Sequence, residues 1–276
     1  MNYIGIDLGG TNIKGALVSA EGEILKEHSI PTRVDLGPEA VAGRIGQVIA
    51  QLSDGESAVG GVGVGCPGTV DDASGIVRFA ANLNFVNFDL RSALRAHTAL
   101  PIHLGNDANA AALGEALFGC GRGAESTIVV TLGTGVGAGV VIGGKLYCGR
   151  DTGAGEIGSI PYLDRDYEYY CSSRFFVGRG TTGKEAYERA AAGDPEALAL
   201  WREFGGHVGQ LVMLVLYTYD PEAIVFGGSI AHAFGFFREA MYEQLKRFPY
   251  AKTVEGLHIC CSNIDHVGLL GASACE

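Results

Sequence analysis

Residues 4–18 and 128–142 can be laid on one another without a gap, with identity at Ile4/Ile128, Leu8/Leu132, Gly9/Gly133 and Gly15/Gly139. Each copy reads as an apolar strand, a glycine-rich turn and a second apolar strand. A device of this kind occurring twice predicts an internal duplication, and therefore two related halves rather than one continuous sheet. Behind the first copy, residues 39–52 place Val41, Ile45, Val48, Ile49 and Leu52 on one helical face, and residues 59–65 return as a small-residue strand. Strand, helix and strand in that order imply an α/β layer.

The turns at Gly9-Gly10-Thr11 and Gly133-Thr134-Gly135 join strand to strand. That separates them from the phosphate loops of P-loop and Rossmann proteins, which run from strand into helix. A glycine turn lets backbone amides approach an anion closely; Thr11 adds a hydroxyl, Lys14 a charge, and Asp7 at the strand end a hard ligand for hydrated Mg²⁺. Gly227-Gly228 offers a third glycine turn, where a planar base can lie against bare backbone. Together these predict an ATP site. Glycine, 43 of 276 residues without collagen periodicity, fits such close approaches. The formal charge of −11 and the lack of a Lys/Arg cluster argue against a nucleic-acid or membrane partner. Seven scattered cysteines without a Cys-x-x-Cys pair, no signal-peptide pattern and no long apolar run point to a reducing, cytoplasmic setting.

Between the two copies, residues 104–115 deliver an Asn-Asp pair from a strand end into a small-residue helix. Read alone, Asp107 there is a helix N-cap, its charge suited to the positive helix end.

Asp7-Leu-Gly-Gly-Thr11, Cys66-Pro-Gly68, Gly105-Asn-Asp-Ala-Asn-Ala-Ala-Ala-Leu-Gly-Glu115, Leu132-Gly-Thr-Gly-Val-Gly137, Gly153-Ala-Gly-Glu-Ile-Gly158 and Val225-Phe-Gly-Gly-Ser229 follow one another in an order and spacing that resemble the ROK (repressor, ORF, kinase) sugar kinases. The resemblance implies an actin-like, hexokinase-type ATPase fold with two ribonuclease-H-like lobes and a cleft between them. It implies ATP-dependent phosphorylation of a hexose, glucose at its 6-hydroxyl first, with Asp107 as catalytic base and Gly68, Asn82 (or Asn84), Asn106 and Glu156 as sugar-binding positions. Relatives acting on fructose, mannose, allose, N-acetylhexosamine or β-glucosides, and sugar sensors of the same fold, remain alternatives. Residues 1–105 with 264–276 are expected to form the small lobe, and residues 106–263 the large lobe carrying Asp107. A homodimer is expected from the same resemblance.

The chain departs from the family pattern at one place. Ser159 stands where the family has a zinc-binding His, and the following Cys-x-Cys-Gly-x-x-Gly-Cys loop is absent, with only Cys171 nearby. No zinc site is expected. Glu168 aligns with a second sugar-binding glutamate, and its other reading is a solvated acid in an acidic stretch. His207 reads as a partly buried structural histidine, and Trp201, Phe204 and residues 211–217 as core or subunit interface.

Overall fold

The structure, a computed structural model, describes residues 1–56, 58–150 and 152–275. In chain order, β1 (Asn2–Leu8), β2 (Asn12–Val18) and β3 (Ile24–Pro31) lead to α1 (Pro38–Ser53). Then come β4 (Val59–Cys66), β5 (Thr69–Asp71), β6 (Ile76–Ala80), β7 (Phe85–Asp89), α2 (Leu90–Arg95), β8 (Ile102–Asn106) and α3 (Asp107–Phe118). The next stretch holds β9 (Ser126–Leu132), β10 (Val136–Ile142), β11 (Lys145–Leu146), β12 (Pro161–Tyr162), β13 (Arg165–Asp166), α4 (Tyr167–Cys171) and α5 (Ser173–Val177). Last are α6 (Gly183–Ala191), α7 (Pro195–Tyr219), β14 (Ala223–Gly227), α8 (Phe234–Leu245), α9 (Ala251–Gly256), β15 (His258–Cys261) and α10 (Val267–Ser273).

Packing divides the chain into two units, residues 1–123 with 144–154 and 264 onward, and residues 124–143 with 155–263. In the first unit the sheet order is β3-β2-β1-β4-β8. β1 pairs antiparallel with β2 and parallel with β4, and β4 pairs parallel with β8. The second unit repeats this as β10-β9-β14-β15, antiparallel at β10/β9 and parallel thereafter. This shared order is the ribonuclease-H-like core of actin-like, hexokinase-type folds. β1 and β9 are both seven residues long, as are β2 and β10, and each pair is offset by the same number of residues as the gapless overlay. The duplication read from sequence is therefore structural, although little side-chain identity survives.

In α1, Val41, Ile45, Val48, Ile49 and Leu52 are buried on one face, over Ile6, Leu8 and Ile13 of the sheet. The core of the second unit is aromatic: Trp201, Phe204, Phe175, Phe176 and Phe237 are fully buried within it. Of residues 211–217, Leu211, Val212, Val215 and Leu216 belong to this core, whereas Tyr217 is exposed. Composition reads the Ala/Glu/Arg-rich stretch 184–203 and the apolar stretch 207–219 as two separate helices; in the structure the break lies instead at Gly193, with Asp194 capping α7 through Glu196 N (2.9 Å) and Pro195 in its first turn.

The boundary expected after Gly105 also needs correction. α3, with Asp107, packs in the first unit against α10, so closely that a Cβ on Gly271 would lie 1.6 Å from Ala110 O and one on Gly114 2.3 Å from Val267 O. Only glycine admits such backbone contact. No helix among the described residues is long and apolar enough to cross a membrane.

Candidate active site

At the β8–α3 junction the capping residue is Asn106, not Asp107. Asn106 holds an extended backbone (φ −67, ψ 145), and its Oδ1 accepts from Ala108 N at 2.9 Å and Asn109 N at 3.1 Å. Its Nδ2 donates to Gly68 O at 3.0 Å. Asp107 is the first helical residue; its Oδ1 touches Ala108 N at 2.8 Å and the side chain is exposed. The cap reading of Asp107 fails because the preceding residue supplies a better-placed acceptor; among the described residues the exposed carboxylate accepts from Ala108 N alone and keeps further lone pairs for other work. Gly68 has φ +88, and a Cβ there would lie 2.0 Å from Phe79 O, so the chain accepts only glycine beneath Asn106.

The ends of three strands lie side by side. Asp7 on β1 is level with Gly65 on β4, and Gly65 with Gly105 on β8; Cys66 is level with Asn106. Asp7 faces Lys14 across the β1–β2 hairpin. Burial pushes the Asp7 carboxyl up from its ordinary value, Lys14 opposes this, and the charge of Asp107 adds to it. Burial, with Asp107, pushes the Cys66 thiol up to about 12. Asp7 and Asp107 are thus electrostatic neighbours, an arrangement that favours a cation beside them.

In the first glycine turn, Gly9 N donates to Asn12 O at 3.0 Å. The fully buried Thr32 holds the turn from outside: its N donates to Thr11 O at 2.8 Å and its Oγ1 to Gly9 O at 2.6 Å. Among the described residues, no protein acceptor engages Gly10 N–H or Thr11 N–H. Asn82 abuts this turn, its carbonyl 3.1 Å from where a Gly10 Cβ would stand, and Asn84 adopts a left-handed conformation two residues on. Thr32 escaped the sequence reading because its only local signal is a threonine after Pro31; its partners come from a different turn.

In the second unit, Gly133 N donates to Gly135 O at 3.1 Å, and Gly133 O accepts from Ser173 N at 2.8 Å. Thr134 N–H and Gly135 N–H have no protein acceptor among the described residues. Glu168 is placed directly against this turn: its Oε2 accepts from Val136 N at 3.2 Å, and its Oε1 pairs with Arg174 Nη2 at 2.9 Å. The reading of Glu168 as a solvated acid is thereby set aside. Glu156 precedes the short helical turn Ile157–Ser159, is exposed, and does not cap it. Ala138 N donates to Gly155 O (3.1 Å) on one side of it, and Tyr167 N to Ile160 O (3.1 Å) ties the segment to the helix bearing Glu168. Gly227 ends β14, and Gly228, at φ +83, starts the turn that follows.

Around Cys171, which is buried, lies an aromatic cluster. Tyr162 stacks on Tyr167 with centroids 4.3 Å apart, and Tyr162 Oη lies 3.2 Å from His207 Nδ1. Burial holds His207 below its ordinary pKa. Among the described residues no group of three or more His, Cys, Asp or Glu side chains is arranged to hold a metal. A cavity of about 880 Å³ in the first unit runs along β8 and α3; Asn106 and Asn109 line it, but Asp107, Gly68 and Asn82 do not.

A sequence profile of the ROK family matches residues 3–275. The chain belongs to the ROK family. It is 33% identical to the glucokinase of Thermotoga maritima over 310 aligned positions, covering 99% of this chain and 96% of that protein. The crystal structure of a ROK hexokinase from Thermus thermophilus superposes with a TM-score of 0.85 at 28% identity, covering 99% of this chain and 97% of the other. A ROK glucokinase from Streptomyces griseus, solved with glucose and AMPPNP, superposes with a TM-score of 0.75 at 29% identity, covering 99% and 98%.

Proposed function

We propose that this ROK protein transfers the γ-phosphoryl group of ATP to a hexose, glucose at its 6-hydroxyl, with Asp107 as general base. The observation that carries this reading is the exposed Asp107 carboxylate, released from capping by Asn106 and set beside Asp7 and a glycine turn with unengaged amides. The named activities of the similar glucokinases and of the glucose- and AMPPNP-bound relative support it.

In this reading the amides and hydroxyl of Gly9-Gly10-Thr11, with Lys14, and the amides of Gly133-Thr134-Gly135 receive the phosphates, and Gly227-Gly228 gives the adenine a flat backbone surface. Mg²⁺, when bound, neutralises phosphate charge, and Asp7 is the oxygen donor suited to hold it through water. Asn106, Asn82, Gly68, Glu156 and Glu168 fix the sugar hydroxyls, each of which would cost about 1–3 kcal/mol if buried without a partner. Glu168 spends one oxygen on Val136 N and the other on Arg174, and a carboxylate retains lone pairs for a hydroxyl donor. Asp107 accepts the proton of the sugar hydroxyl as that oxygen bonds to Pγ and the Pγ–O bond to ADP breaks.

The test is a coupled ADP-release assay with Mg-ATP over glucose, fructose, mannose, allose, N-acetylhexosamines and β-glucosides, with ³¹P NMR of the product. Glucose should give the highest kcat/KM and a 6-phosphate. No sugar-dependent ADP from any of them would overturn the kinase reading.

A further inference from the structure

We propose that Thr32 Oγ1 and the backbone N–H of Ser173 are equivalent positioning donors, each fixing one peptide plane so that the next amide points out of its glycine turn. This rests on the reading of the two turns as phosphate-binding.

Gly9 and Gly133 are matching positions of the duplicated hairpins, each directly following the last residue of its first strand. Both carbonyls accept a hydrogen bond from a distant segment, Gly9 O from Thr32 Oγ1 at 2.6 Å and Gly133 O from Ser173 N at 2.8 Å. In a trans peptide the carbonyl and the following N–H point in opposite directions. Holding Gly9 O toward Thr32 therefore turns Gly10 N–H away from it, and holding Gly133 O toward Ser173 does the same for Thr134 N–H. These are among the amides that no protein acceptor engages.

The two donors differ for a physical reason. The Gly9–Gly10 peptide has glycine on both sides and flips most readily, whereas Gly133–Thr134 has one glycine and a β-branched residue. The freer plane is the one held by a fully buried side chain, with a second bond from Thr32 N to Thr11 O at 2.8 Å.

The experiment compares Thr32→Val, which keeps the shape and removes the donor, with Thr32→Ser, which keeps the donor. In parallel, Ser173→Pro removes the amide and Ser173→Ala keeps it. Proline fits there, because Ser173 opens α5 and Ser172 before it is extended (φ −125, ψ −172). Thr32→Val should raise the KM for ATP about tenfold, the loss expected for one hydrogen bond that orients a ligand-binding group, with the KM for sugar unchanged. Thr32→Ser and Ser173→Ala should stay within about twofold of wild type, and Ser173→Pro should raise the KM for ATP in the same direction as Thr32→Val. A Thr32→Val protein that melts normally with an unchanged KM for ATP, or with both KM values raised together, overturns the proposal. Backbone ¹⁵N NMR of wild type titrated with Mg-AMPPNP separates the two levels. If the Gly10 and Thr134 amides do not shift, the phosphate reading of the turns and this proposal fall together. If they shift while Thr32→Val and Ser173→Pro bind AMPPNP as wild type does, only the positioning role falls.

Discussion

Asp107→Asn separates chemistry from helix capping at one residue. The N-cap is Asn106, the acceptor for Ala108 N and Asn109 N, and among the described residues the carboxylate of Asp107 adds a bond only from the adjacent Ala108 N. What folding loses is the charge at the helix N-terminus, about 0.3–1 kcal/mol, and an Asn oxygen can retain the contact with Ala108 N. For a chain of this size that shifts Tm by no more than about 2–4 °C. Turnover loses a general base, a factor of about 10²–10⁴. That corresponds to about 3–5 kcal/mol on the barrier, several times the stability term. Asn106→Ala should cost more stability: it removes the cap, worth about 1 kcal/mol or more, and cuts the tie to Gly68 O. Differential scanning fluorimetry beside the coupled assay reads both quantities. An Asp107→Asn enzyme that keeps more than about a tenth of wild-type kcat would refute the base assignment. One that melts as low as Asn106→Ala would refute the assignment of the cap to Asn106. Thiol titration gives a third check, since Cys66 should ionise at lower pH once the Asp107 charge is gone.

Asp7→Asn should abolish most activity while raising Tm at neutral pH. The Asp7 carboxyl is pushed up by burial, so its ionised form burdens the folded state above the ordinary carboxylate range; the Tm gain should shrink as pH falls toward that range, and a pH-independent gain would contradict the argument. His207 sits below its ordinary pKa of 6.5, so the unfolded chain binds a proton more readily than the folded one. Wild-type Tm should therefore decline as pH drops below that value, and His207→Gln should flatten the decline; parallel curves would show that another group governs it. Gly68→Ala forces a Cβ to within 2.0 Å of Phe79 O at a positive φ, so the loop must move and Asn106 lose its partner; the expected result is a raised KM for sugar with the KM for ATP little changed, read by steady-state kinetics.

Local pattern made part of this molecule legible. The apolar face of α1 and the paired hairpins follow from periodicity, because each is decided within a few turns of chain. The Asp194-Pro195 helix start was equally local, and was masked by the continuous Ala/Glu/Arg-rich composition around it. Other features depend on partners far away in sequence. α3 joins the first unit because Gly114 and Gly271 admit α10, and no pattern within residues 106–118 announces that helix. Asp107 stood out by residue type, but which of two adjacent polar residues caps the helix is set by backbone angles. Thr32 was invisible because its function lies in what it holds.

The placement of α10 carries a consequence for how the chain comes into being. A Cβ on Gly5 would lie 2.0 Å from Leu269 O and one on Gly63 1.8 Å from Ala272 O, so this late helix lies directly on β1 and β4. During synthesis the first sheet emerges before the second unit, yet the helix covering one of its faces follows every segment of the second unit. At about 5–20 residues per second, the interval between residue 123 and the final turn of α10 is roughly 8–30 s. The second unit, whose segments lie between these two points, can complete itself while the first still waits with bare glycine-lined strands. The second unit can therefore mature ahead of the first, and α3, which begins at Asp107, gains its packing against α10 only after the second unit's segments have been made.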